Sequence, residues 1–334
     1  MQERSIGDMT IEVLIFMLIA SFTMISGIND GGNLVATFLA SGTLAPALVL
    51  PLLLLSIGLG PILFGTAVSH TIAVEVVDFQ QAGLLVLMVS LFAALLTLAA
   101  TWWLKMPTST TIALGGGMVG ATLASGQIHL IHWLGVGKLV MGLLGSVVLG
   151  FVAAFMFTKV LWFFLKRLSM EEIDFLQYGQ YLTAFWQGLA YGANDQEKVI
   201  GLMTIFWMMV YHHTHYRVPW MADLLPLFFW GVGLIFGGFR IARTVGQHIV
   251  RIGSMNALST QLAAAMTVSV AAFGGFPVST TQTTDGSLFG TGTALSPMSV
   301  HWIVVRKMVG VWVLTMPVAI FVGGLLMEAV VHLK

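Results

Sequence analysis

Long apolar stretches alternate with short breaks along this chain, at a length that suits lipid rather than a soluble core. A spanning helix needs roughly 20 predominantly apolar residues. Such runs occur near 9–28, 46–67, 82–104 and 133–164, then near 178–193, 199–216, 223–239, 253–274 and 300–331. Two further segments, 107–125 and 277–295, differ in kind: each opens with proline, carries clustered Ser and Thr, and is rich in glycine. Such sequences make poor continuous spans and predict re-entrant hairpins, where broken backbone lines a cavity instead of lipid. The one polar segment long enough to be a linker, 166–180, contains Lys166, Arg167, Glu171, Glu172 and Asp174 and lies near the middle of the chain.

That central position prompts a search for an internal repeat. Asn29-Asp30 recurs as Asn194-Asp195 (195 − 30 = 165), and Pro107-Thr108-Ser109-Thr110-Thr111 as Pro277-Val278-Ser279-Thr280-Thr281 (279 − 109 = 170). His132-Trp133 with Lys138 recurs as His301-Trp302 with Lys307 (301 − 132 = 169). Three motifs in one order at nearly constant displacement predict a duplicated chain: an N-terminal transmembrane repeat over 9–165, a short polar linker over 166–180 and a C-terminal repeat over 181–332. Repeats that each cross an odd number of times are inverted relative to one another, and transporter repeats meet near the midplane. The expected fold class is an all-α polytopic membrane protein with two inverted-topology repeats. Each would carry a re-entrant helical hairpin, with about 10–12 membrane helices counting hairpin arms.

Composition then excludes other classes. The 334 residues are 57% hydrophobic and 8% charged, against about 25% charged in soluble domains, and no Asp, Glu, Lys or Arg occurs from Gly31 to Val74. Fourteen basic and 14 acidic side chains cancel, leaving no basic field for a nucleic-acid partner. The absence of cysteine removes thiol catalysis, disulfides and cysteine metal sites. An integral, multi-pass protein of a bacterial plasma membrane is expected. Arg240, Arg243 and Arg251 mark a cytoplasmic connection, and the acidic start with Glu3, Asp8 and Glu12 an external N-terminus.

A carboxylate at membrane depth costs roughly 2.5–3.5 kcal/mol on insertion scales and marks a functional site by default. Asp30, in Gly27-Ile28-Asn29-Asp30-Gly31-Gly32-Asn33, reads as a cation or proton site at a helix break, with Asn29, Asn33 and freed carbonyls as co-ligands. The second copy adds Gln196, Glu197 and Lys198, so that Asp195 or Glu197 can pair with Lys198. That lysine reads as either anion ligand or counter-ion. The paired Pro-x-Ser-Thr-Thr segments offer hydroxyls and, at a helix start, open N–H groups, which together bind anions. Hydroxyl-rich hairpins suit a small tetrahedral oxyanion, yet neither holds an arginine and two aspartates lie beside them. An anion there needs an accompanying cation: a sodium ion, a proton or a metal. Asp285 falls in the second hairpin opposite Gly115 of the first, and reads as a cation-site or gating residue. His212, His213 and His215 suit the membrane interface better than a metal site, since no carboxylate lies near them in sequence.

The Gly-x-Asn-Asp-x-x-Asn motif, Gly-Ala-Asn-Asp-Gln-Glu-Lys, the doubled Pro-x-Ser-Thr-Thr and Arg243-Thr244-Val245-Gly246 together resemble the PiT family of inorganic phosphate transporters, over about residues 15–330. The resemblance implies cation-coupled phosphate symport in an inverted-repeat fold, with no enzyme activity and no cofactor. Carried over residue by residue, it places Asp30, Asn33, Asp195, Ser109, Thr110, Thr111, Ser279, Thr280 and Thr281 at substrate or cation positions. With the readings above, the expected phosphate set is Ser109, Thr110, Thr111, Ser279, Thr280, Thr281, Asn29 and Asn194. The expected coupling set is Asp30, Asn33, Asp195, Lys198 and Asp285, for sodium, a proton or a metal–phosphate complex. Partners are inorganic phosphate, the coupling cation and the lipid bilayer, with a homodimer as candidate assembly. Where the family often reads Ser-Thr-Thr-His, this chain has Ile112 and Gln282, so a histidine role in proton handling does not transfer. A sulfate or other oxyanion permease of the same fold, an intramembrane phosphatase-type enzyme and a passive anion channel are the competing readings.

Overall fold

The computed structural model describes residues 6–41, 45–103, 108–166, 175–213, 215–238, 242 and 254–333. Pro107, most of the expected linker (167–174), Glu3, and the basic stretch with Arg240, Arg243 to Gly246 and Arg251 lie outside the described residues. The described chain is almost wholly helical: α1 Ile6–Ser41, α2 Pro46–Phe64, α3 Leu84–Trp103, α4 Thr110–Ala124 and α5 Trp133–Leu165 form the first half. The second comprises α6 Phe175–Tyr191, α7 Glu197–Val210, α8 Met221–Gly233, α9 Ser254–Phe273, α10 Thr280–Leu295 and α11 Trp302–His332. Among the described residues, six helical segments are long and apolar enough to span a bilayer: 9–38, 47–64, 84–103, 133–165, 221–238 and 302–332.

The repeat is visible element by element. α3 and α9 are both 20 residues long, α4 and α10 begin at Thr110 and Thr280, and α5 and α11 begin at Trp133 and Trp302. The first half runs α1, α2, the hairpin arms α3–α4 and α5, and the second α6–α7, α8, the hairpin arms α9–α10 and α11. On one face, Gln80 Nε2 of the first half donates to the His213 carbonyl at 3.0 Å, and the Asp78 N–H donates to the Leu130 carbonyl beneath the first hairpin. Three crossings per half reverse the direction of the second half, so the repeats are inverted. Among the described residues, six crossing helices and four hairpin arms make ten.

Two sequence expectations need correction. The segments 107–125 and 277–295 are not whole hairpins: each is one inner arm, and its outer arm is the apolar helix before it, expected above as a span. The tip of the first hairpin ends inside the protein, where Thr108 Oγ1 meets Thr315 Oγ1 at 2.8 Å near the middle of α11. The second turns at Gly275, whose φ of 65° favours glycine. Secondly, α1 passes through Gly27–Asn33 without a break. Its glycines serve contact instead: a Cβ at Gly27 would meet the Trp230 backbone carbonyl, and one at Gly31 the Trp230 ring at 3.0 Å. The second copy is also continuous, but widens into a π turn at Gly192–Gln196, which joins the expected spans 178–193 and 199–216 into one helix.

Packing crosses between the halves. Gly116 and Gly120 of α4 seat on the backbone carbonyls of Met316 and Ile320 in α11, and Gly286 and Gly290 of α10 on those of Val147 and Phe151 in α5. Each hairpin's inner arm thus lies against the last helix of the other half, so close that only glycine fits. On the surface, Lys138 Nζ lies 2.9 Å from Glu75 Oε2 and His70 Nδ1 3.3 Å from Oε1. Partial burial works to raise the Glu75 carboxyl, but the hydrogen bond and charge of Lys138, joined by His70, hold it below the usual range.

Two outcomes are expected. Gly120→Val and Gly290→Val should each destabilise the fold by about 1–3 kcal/mol through overpacking, whereas Gly145→Ala, with open space at its Cβ, should stay near neutral. Thermal unfolding in detergent measures both. The depressed Glu75 carboxyl stabilises the fold at neutral pH and loses that contribution as pH falls through its folded pKa. Lys138→Met should therefore flatten the acid limb of the stability–pH curve, by under about 1 kcal/mol for so exposed a pair.

Candidate functional site

Both inner arms start with a serine in extended conformation: Ser109 at φ −96°, ψ 120° and Ser279 at φ −91°, ψ 109°. Each serine Oγ accepts the N–H of the third residue on, Ile112 or Gln282, both at 3.2 Å. These N-caps leave the following threonine hydroxyls free to turn across the fold. Thr110 Oγ1 donates to Asp30 Oδ2 at 2.8 Å, and its counterpart Thr280 Oγ1 to Asp195 Oδ2 at 2.7 Å. The two asparagines hold the tips themselves. Asn29 Nδ2 donates to the Thr108 carbonyl, while Asn194 accepts from the Val278 N–H and donates to the Phe276 carbonyl, each at 3.2 Å.

The hairpins meet at their second threonines. Thr281 Oγ1 donates to Asp30 Oδ1 at 2.7 Å, so one carboxylate of α1 takes hydroxyls from both tips. Ser26 Oγ at 2.8 Å and Asn29 Nδ2 at 3.2 Å complete its donors. Thr111 Oγ1 donates to the Val278 carbonyl at 3.0 Å and accepts from Lys198 Nζ at 2.6 Å. The same ammonium lies 2.6 Å from Asp195 Oδ1. Lys198 is therefore the counter-ion of Asp195 and also reaches across to the first hairpin. The alternative pair with Glu197 does not form: Glu197 Oε2 accepts the Ser69 N–H at 3.2 Å, away from the hairpin tips.

All the expected site residues are thus buried around one locus, with Asn29 the most exposed at 8%. Two helix N-termini converge there, which favours an anion, and two acids flank it. Asn33 Nδ2 donates to the Thr281 carbonyl at 3.0 Å. Asp285 lies one helical turn beyond Thr281, fully buried. Among the described residues no group of three His, Asp or Glu could hold a metal ion.

Sequence reasoning missed Ser26 and Tyr191. The Tyr191 hydroxyl pairs with Thr284 Oγ1 at 2.7 Å and donates to the Thr280 carbonyl at 3.2 Å. The two occupy equivalent positions (191 − 165 = 26), but a serine in one copy and a tyrosine in the other form no recurring motif.

The family model described as the phosphate transporter family matches residues 26–173 and 165–323. The chain belongs to this family. A relative from Rhizobium meliloti, named a probable low-affinity inorganic phosphate transporter, is 28% identical over 91% of this chain and 92% of its own. One of the same name from Bacillus subtilis is 27% identical over 94% and 95%, respectively. A solved structure titled the sodium-dependent phosphate transporter superposes with a TM-score of 0.86, covering 97% of this chain and 100% of its own at 20% identity. These relatives are named transporters, not enzymes, and the chain is an integral multi-pass membrane protein.

Removing one partner of a buried pair leaves the other charge uncompensated, at about 3–5 kcal/mol. Lys198→Met should lower thermal stability by that order. The double variant Asp195→Asn with Lys198→Met should recover much of the loss, as a double-mutant cycle in detergent will read.

Proposed function

We propose that this protein carries inorganic phosphate across the membrane together with a cation, by alternating access at the meeting point of the two hairpin tips. The supporting observation is Asp30, bonded to Thr110 of one hairpin and Thr281 of the other. A group that ties both tips can sense whether they are together or apart. Phosphate oxygens would take over the hydroxyls of Thr110, Thr111, Thr280 and Thr281 and the open N–H groups behind Ser109 and Ser279. Asn29 and Asn194 would hold the tips in register. When Thr110 and Thr281 turn to phosphate, Asp30 loses two donors, and a cation or proton must replace them. That exchange couples the two substrates.

Access requires the tips to separate. The glycine seams between α4 and α11, and between α10 and α5, present smooth backbone surfaces along which each hairpin can shift as a unit. Lys198 is then a tethered cation for one side of the site, Asp195 being its fixed partner.

The test is radiolabelled phosphate uptake into proteoliposomes, driven in turn by a sodium gradient and by a proton gradient. Uptake should follow one of them, and excess sulfate should compete poorly. Asp30→Asn should lower uptake at least about tenfold, equivalent to about 1.4 kcal/mol of transport barrier. Unchanged rate and cation dependence in that variant would sink the proposal, and full competition by sulfate would move the substrate to a wider class of oxyanions.

A further inference from the structure

The two halves differ where their charges lie. By the repeat offsets Lys198 stands where the first half has Asn33 (198 − 165), and Asp285 where the first hairpin has Gly115 (285 − 170). In one arrangement Lys198 Nζ bridges Asp195 Oδ1 and Thr111 Oγ1, both at 2.6 Å. In its counterpart, Asp30 Oδ1 receives Thr281 Oγ1 at 2.7 Å and Asn33 Nδ2 reaches the Thr281 carbonyl at 3.0 Å. The place of the ammonium is taken by a neutral amide, and a further acid, Asp285, stands beside it.

Asp285 differs from the other two acids. Asp30 has four donors and Asp195 has an ammonium and a hydroxyl, but neither oxygen of Asp285 has a hydrogen-bond partner, and it is fully buried. Asn33 is the polar side chain whose influence its carboxyl feels, from beyond hydrogen-bond distance, and Asn33 Oδ1 is likewise buried without a donor. Three acceptor oxygens without a donor, closed off from water, are a site built for a positive charge. The other ionisable group near it is Tyr191 of α6, which also feels the charges of Asp30 and Asp195. The Tyr191 hydroxyl already bonds Thr284 and Thr280. The first hairpin has no equivalent, because a Cβ at Gly115 would come within 2.8 Å of Leu139 Cδ1.

We propose that Asp285 and Asn33 Oδ1 form an exchangeable monovalent-cation site, the mobile counterpart of the fixed Lys198 ammonium. The site takes one positive charge, as a proton on Asp285 or as a sodium ion held by Asp285 and Asn33. With Asp30, Asp195 and Lys198 the buried acids and base sum to −2 when Asp285 is ionised and −1 when it is filled. This rests on the cation-coupled reading above, and assigns the coupling charge to one of the two repeat-related sites, shared between Asn33 of the first half and Asp285 of the second.

The full chain, reconstituted without phosphate, tests this by infrared difference spectroscopy and sodium titration, so that failure of phosphate transport and failure of this site are distinguishable. At neutral pH without sodium, the wild type should show a protonated-carboxyl band that shifts in heavy water and is lost in Asp285→Asn. If sodium displaces the band, sodium is the ligand; if the band is insensitive to sodium, the proton is. Asn33→Lys, which supplies a fixed ammonium as Lys198 does, should abolish both the band and sodium binding, and so provides a second reading should Asp285→Asn fail to fold. A wild type with no such band and no sodium binding, or both signals unchanged in the two variants, overturns the proposal.

Discussion

The Asp30 carboxylate sits where water does not reach it, so its charge has to be met by the protein itself. Donors come from three directions: Ser26 and Asn29 on its own helix, Thr110 at the first hairpin tip and Thr281 at the second. Leaving a buried carboxylate short of donors is costly. The position of both hairpins is therefore tied to the electrostatic state of one residue in α1. The rest of the architecture serves this requirement, by bringing two helix starts and two hydroxyl-bearing turns to the same depth.

The hairpins are brought there by packing that ignores the boundary between the halves. α4 lies on α11 and α10 on α5, while Gly27 of α1 sits on α8 and Gly192 of the π turn on Ile57 of α2. Each contact of one half has its counterpart in the other. Lipid offers no hydrophobic drive for helices to associate, so close backbone approach through small residues has to supply the attraction. Such seams have few side-chain protrusions across them.

Symmetry of backbone coexists with asymmetry of charge. Both halves hold an Asn-Asp pair against a Ser-Thr-Thr tip, yet Lys198 and Asp285 both belong to the second half, where the first has Asn33 and Gly115. A transporter of an anion needs compensating positive charge, and these two solutions are physically distinct: a tethered ammonium cannot leave, whereas a bound ion or proton can. The inverted repeat thus supplies two geometrically matched sites that differ in whether a tethered ammonium is present.

Much of this was legible in residues alone. Apolar run length identified the membrane class, and the recurrence of Asn29-Asp30, Ser109-Thr110-Thr111 and their partners located most of the side chains that the fold gathers at its centre, though not Ser26 or Tyr191. Motif spacing carries this information because a duplicated backbone places equal offsets at equivalent points. The extent of the hairpins is not legible in the sequence, since an outer arm such as Leu84–Trp103 is as apolar and as long as a true span, and only its return path tells them apart. The glycines around Asp30 were read as a break, although helix-breaking and helix-contacting glycines look alike until a neighbour such as Trp230 is in place. Which partner Lys198 takes, and that Asp285 takes none, also depended on tertiary structure. Composition and periodicity determine what must leave water and in which repeat it recurs; distances between helices from opposite halves decide which charges are met, and those distances exist only once the chain has interlocked.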